Sequence, residues 1–173
     1  MTSSILAGPP AARARLEAIL HKVLTRPRDA AALKADVLKM RADMAAHKQP
    51  AGPLDATLLR GGLVDCEFII HFLQLRERIG QVPSLGEAID RLAEAGLVPL
   101  SLRAAHDAMT RLLVAARLLA PDSQIPPDGV RAPLASACGY DDWEALISGF
   151  ADARKAVAAV WHDVFGETLK LEK

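Results

Sequence analysis

Leu63-Val64-Asp65-Cys66-Glu67-Phe68-Ile69-Ile70-His71-Phe72-Leu73-Gln74-Leu75-Arg76-Glu77-Arg78-Ile79 is the most apolar stretch of the chain. Turned at about 100° per residue, it separates into two apolar arcs. Val64, Phe68, Phe72, Leu75 and Ile79 form one; Cys66, Ile69, Ile70 and Leu73 form the other. Between them run a polar stripe of Glu67, His71, Gln74 and Arg78 and a narrow wedge with Asp65 and Arg76. A helix that is apolar on two sides has neighbours on two sides, so residues 63–79 are expected to be the central helix. A buried, unpaired Asp65 would be too costly. Its expected partners are Arg41, Arg60 or the backbone of the Gly61-Gly62 turn.

The flanking sequence extends the helical pattern. Leu16, Ile19, Leu20, Val23 and Leu24 recur at helical spacing after Pro9-Pro10, which suit a first turn. Asp29 is placed to cap a second helix carrying Leu33, Val37, Met40 and Met44 on one face. Residues 48–62, with Gln49-Pro50-Ala51-Gly52-Pro53, read as a long surface connection. Ser84 and Glu87 form a capping-box pattern, and Gly96 ends that short helix. Ser101 and Asp141 are expected caps for two more helices. The first buries Leu102, Ala105, Met109, Leu112, Leu113, Ala116 and Leu119; the second buries Trp143, Leu146, Ile147, Phe150, Val157, Val160, Trp161, Val164 and Phe165. A short helix over 130–138 lies between them. No segment alternates like a half-buried strand. The expected fold is all-α, a bundle of six or seven helices, with residues 1–9 flexible, 10–166 a single helical domain and 167–173 a tail.

Composition agrees. Of 173 residues, 32 are Ala and 25 are Leu, with 4% aromatics, which favours close-packed helices over sheets. Twenty-one basic residues balance 21 acidic ones, so nucleic acid is not the expected ligand. Charged residues interrupt every apolar segment before a membrane span is reached, and no signal peptide is visible. Cys66 and Cys138 read as reduced, buried residues of a cytoplasmic protein.

The stretch from Arg60 to Leu75 closely resembles the signature Gly-Gly-Leu-Val-Asp-Ile-Glu-Phe-Ile-x-Gln-x-Leu-Gln-Leu of glutamine synthetase adenylyltransferases, with Cys66 in place of Ile and His71 in place of Gln. The likeness continues in Thr25-Arg26-Pro27-Arg28-Asp29, Met40-Arg41 and Ala93-Glu94-Ala95-Gly96-Leu97, and more weakly to about Phe165. The resemblance implies the last helical domain of a bifunctional enzyme that adenylylates and deadenylylates glutamine synthetase. Its implied partners are glutamine synthetase, a PII-type signal protein or a nucleotidyltransferase domain outside this chain. The family uses ATP and Mg; none is expected here. Its transfer chemistry needs a Gly-Ser and an Asp-x-Asp whose carboxylates hold metal ions, and neither occurs in the 173 residues. Asp65-Cys66-Glu67 imitates the pair, but on a helix positions i and i+2 point about 200° apart and cannot share a metal.

The expected working surface is therefore non-catalytic: Arg41, Arg60, Gly61, Gly62, Asp65, Glu67, His71, Gln74 and Arg78. For Gly61, Gly62 and Asp65 the competing reading is structural, a tight turn and a pair with Arg41. A different function class is suggested by His106-Asp107, the dipeptide of HD-type metal phosphohydrolases, for which His71 and Asp152 would complete a ligand set. Arg26, Arg28, Arg76 and Arg78 could form a basic patch or simply solvate helix surfaces.

Overall fold

The computed structural model describes residues 9–172. The expected flexible segment 1–9 therefore lies, but for its last residue, outside the described residues. Seven helices follow in order: α1 (Pro10–Leu24), α2 (Ala30–His47), α3 (Leu63–Glu77), α4 (Leu85–Glu94), α5 (Ser101–Leu119), α6 (Asp128–Ala137) and α7 (Trp143–Phe165). No strand occurs among the described residues. The expected all-α bundle is the observed fold.

α3 packs against α2, α4, α5 and α7, so it has the central place that its two apolar arcs require. Cys66, Ile69, Ile70 and Leu73 are fully buried, each large side chain contributing roughly 1.5–3 kcal/mol of burial. The other arc is more loosely covered: Phe72 is buried and Phe68 packs at the core edge, whereas Ile79 lies beyond the helix end and is exposed. α5 and α7 make the most extensive helix pair, and α6 closes over both. At the C-terminal end of α7, Phe165 touches Phe72 and Trp161, with ring centroids 5.0 and 4.4 Å apart.

Local chemistry sets most helix ends. Asp29 accepts from Ala32 N–H at 2.7 Å and caps α2 as expected. Just before it, the Arg28 guanidinium bonds the carbonyls of Val23, Leu24 and Arg26, and the Thr25 hydroxyl donates to His21 O. The Thr-Arg-Pro-Arg-Asp stretch thus ends one helix and starts the next, and Arg28 is not part of a free basic patch. α4 ends at Gly96 (φ 71°), with Leu97 N–H bonded to Leu92 O, a Schellman closure.

Several expectations need correction. α7 is capped by Asp142, not Asp141: its carboxylate accepts from Ala145 N–H at 2.7 Å. Ser101 is the first residue of α5 and makes no capping bond. Ser84 caps α4, but Glu87 pairs with Arg91 instead of reaching back. Residues 48–62 are no loose surface connection. Leu54, Ala56 and Leu59 belong to the core, and the Asp55 carboxylate ties the segment together by accepting from Ala51, Thr57 and Leu58 N–H. The expected helical spacing on α1 is observed, but it brings no burial. None of its residues is buried, and Leu16, Ile19 and Val23 are about half exposed.

Candidate functional site

The signature residues converge on one buried charge cluster. Arg41, from the only buried position of α2, meets Asp65 in the first turn of α3, with Nε donating to Oδ1 at 2.5 Å and Nη2 to Oδ2 at 3.3 Å. Asp65 is 0% exposed. Its Oδ2 also accepts from Gly61 N–H at 2.7 Å. Two of the three expected partners are thus used together, and the third, Arg60, contributes only its backbone. The carboxylate is satisfied from two sides, which is what permits its burial.

The turn before α3 admits only glycine at its first position. Gly61 has φ 76°, and a Cβ there would collide with the Arg154 carbonyl. At Gly62 a Cβ would lie 2.7 Å from the carbonyls of Ala56 and Leu59, so the backbone of residues 56–62 winds too tightly for a side chain.

Arg154 of α7 completes the cluster and was not among the expected residues. It is buried, donates from Nε to Arg60 O at 2.9 Å, and reaches Glu172 with both Nη atoms. Burial lowers its pKa, while Glu172 and Asp65 pull in the opposite direction. The signal was its position: Phe150, Arg154, Val157 and Trp161 follow one helical face, so an arginine sat within the core stripe of α7. Through Arg154 the segment 167–172 folds back over the cluster, where Leu169 packs on the core. Two cavities flank this strap. One of about 280 Å³ lies beside Arg41, Arg60 and Trp161; the other, about 380 Å³ and mostly apolar, lies beside Leu54, Phe150 and Arg154.

The remaining expected residues do not join this cluster. Gln74 is buried and structural: its amide donates to Gly80 O, and Gln81 donates to Gln74 O, fastening the end of α3. Arg78 is the left-handed C-cap of α3 (φ 63°) and is exposed. Glu67 is exposed near His106, with its carboxyl raised by partial desolvation and lowered by that histidine. His71 is half-buried, and desolvation lowers its pKa to about 4, so it is neutral near pH 7. The polar stripe therefore splits between interior and surface.

No family model matches the chain. Curated relatives do. The chain is 31% identical to the bifunctional glutamine synthetase adenylyltransferase/adenylyl-removing enzyme of Caulobacter vibrioides over 92% of its own length and 17% of the relative's. The enzyme of the same name from Bordetella bronchiseptica is 38% identical over 82% of this chain, and that from Nitrosomonas europaea 31% over 87%; the match covers 16% and 17% of those proteins. By sequence this chain is similar to one segment of the glutamine synthetase adenylyltransferases. It spans about a sixth of the length of the relatives it matches.

Within the chain the Gly-Gly-Leu-Val-Asp stretch builds the joint between α2, α3 and α7. Asp65 and Glu67 lie on one helix, one buried against Arg41 and the other exposed, and they share no space. Among the described residues no three His, Cys, Asp or Glu side chains gather as a metal site. Asp107 is engaged by both Arg103 and His106, at 2.9 Å and 3.0 Å, so the His-Asp dipeptide is part of a surface ion-pair group with Asp90. Both cysteines are free and buried, and burial pushes the Cys66 thiol up to about 12, so it stays protonated and is a poor nucleophile. No helix among the described residues is long and apolar enough to cross a membrane.

Proposed function

We propose that the chain is a non-catalytic helical module of the glutamine synthetase adenylyltransferase system, the counterpart of the helical domain that follows the second nucleotidyltransferase domain. In this reading it positions or regulates the cytoplasmic adenylylation and deadenylylation of glutamine synthetase by meeting a protein partner. The partner is glutamine synthetase itself, a PII-type signal protein or the nucleotidyltransferase domain.

The observation that carries the reading is α1. Fifteen residues form a helix with nothing buried, and Leu16, Ile19 and Val23 present an apolar stripe to solvent. Such a stripe is characteristic of a helix that completes its packing against another protein. Arg13, Arg15, Lys22 and Arg26 stand on and just after α1 against Glu17, with Asp29 and Asp36 beside the neighbouring cavity, so the matching surface is apolar with an acidic excess. Next to it a cavity of about 930 Å³, lined by Val23, Arg26, Leu33 and Asp36 among others, offers room for partner side chains.

The test is a pull-down with the folded chain against the three candidates, the nucleotidyltransferase domain supplied in trans. Binding to one of them, lost in the Leu16→Glu, Ile19→Glu, Val23→Glu triple variant, is the expected result. A well-folded chain that captures none of the three overturns the proposal.

A further inference from the structure

The smaller, polar cavity beside the charge cluster has a chemistry of its own, independent of any protein partner. Leu38 from α2 and Trp161 from α7 give it apolar walls, Arg41 and Arg60 line its inner side, and Glu167 and Lys170 of the strap stand at its edge. Arg41 is neutralised by Asp65. Arg60 uses only its carbonyl in hydrogen bonding, and neither its guanidinium nor the Lys170 ammonium has an ion-pair partner among the described residues. Against these two free cations the cavity holds one carboxylate, Glu167, so a positive charge is left unbalanced.

A second observation points the same way. Trp161 is 2% exposed, and its Nε1–H has no acceptor, the only such buried side-chain atom among the described residues. Leaving a buried donor unmade costs about 1–3 kcal/mol, and folded proteins rarely tolerate it. The cavity thus presents two unpaired donors, the Arg60 guanidinium and the Lys170 ammonium, and one of its lining residues, Trp161, holds an unmatched indole N–H. Glu167 is the one carboxylate to set against the two cations, and an oxyanion supplies several further acceptors at once.

We propose that this cavity is a binding site for a small oxyanion-bearing molecule, a carboxylate or a phosphate, held by Arg60 and Lys170 with Leu38 and the Trp161 ring against its carbon part. The volume of about 280 Å³ restricts the ligand to a compact one. Because the strap carries Lys170 and is tied to Arg154 through Glu172, occupancy also fastens residues 167–172 onto the bundle.

The chain has two tryptophans, and Trp143→Phe leaves Trp161 as the sole indole reporter. In that background, sodium acetate and sodium phosphate are titrated separately while Trp161 emission and the indole N–H resonance are followed, with sodium chloride at matched ionic strength as control. A saturable response to at least one of the two is expected, and which one responds separates the carboxylate from the phosphate source. Arg60→Gln and Lys170→Gln are each expected to weaken it by roughly tenfold. Lys170 is exposed, so its variant reports on binding even if the Arg60 variant folds poorly. No response to either anion, or a response equalled by chloride or unchanged in the Lys170 variant, overturns the proposal.

Discussion

Arg41 and Asp65, 24 residues apart in sequence, are joined by two hydrogen bonds at a point that water does not reach, their side chains 4% and 0% exposed. A buried pair of this kind adds little net stability when whole and costs much when broken, because the surviving charge is left without a partner. Asp65→Asn keeps the shape but removes the charge, and is expected to destabilise the fold by about 3–5 kcal/mol. The double variant Arg41→Met, Asp65→Leu is expected to be clearly less destabilised than the sum of its single changes. Urea denaturation of wild type, Arg41→Met, Asp65→Leu and the double variant measures the coupling, and strict additivity of the two changes would contradict a paired site.

Gly61 and Gly96 share a left-handed backbone but differ in surroundings, with φ 76° and 71°. Around Gly96 a Cβ meets nothing within 4 Å, whereas at Gly61 it strikes the Arg154 carbonyl. Gly96→Ala therefore carries only the backbone cost, about 1–2 kcal/mol. Gly61→Ala adds overpacking of about 1–3 kcal/mol and should be the more damaging by that margin. Thermal unfolding of the two variants decides it: equal losses would mean that α7 does not press on this turn.

Much of this arrangement was legible in the residues. Asp65 between two apolar arcs demanded a partner, and the demand was specific enough to select Arg41 and the glycine turn. Arg154 has no local signature of its partners, since Arg60 O and Glu172 lie 94 and 18 residues away, although its place on the core face of α7 is a visible sign. Residues 48–62 resemble a surface connection because proline and glycine dominate their first half, while Leu54, Ala56 and Leu59 carry no period. α1 shows the opposite limit. Helical spacing of apolar residues says that a face will be covered, not that this chain covers it.

Arg154 holds the strap, so its loss should loosen the strap before it harms the core. Arg154→Met leaves Arg60 O without its donor and is expected to cost about 1–3 kcal/mol. Limited proteolysis should then cut within residues 167–172 while the bundle stays intact. Glu172→Gln, by contrast, removes an ion pair that is half in solvent, and should change stability by less than about 1 kcal/mol. A strap equally resistant in wild type and Arg154→Met would show that Leu169 alone secures it.

His71 gives the fold a dependence on acid. Desolvation lowers its pKa from 6.5 to about 4 in the folded chain. Between those values the unfolded chain binds more protons than the folded one, so stability rises with pH. The contribution is complete above the unfolded pKa and is lost as pH falls from 6.5 toward 4. Partial solvent access reduces its size to about 1–2 kcal/mol. The Glu67 carboxyl, raised by desolvation, lies one helical turn away, so the difference between wild type and His71→Gln, not either curve alone, isolates the effect. Glutamine is the residue at this position in the signature the chain resembles, and it carries no titrating charge. The two proteins should unfold alike at neutral pH, with His71→Gln becoming the more stable by about 1–2 kcal/mol as the solution is acidified. Parallel stability curves across that window would place the His71 ring in water.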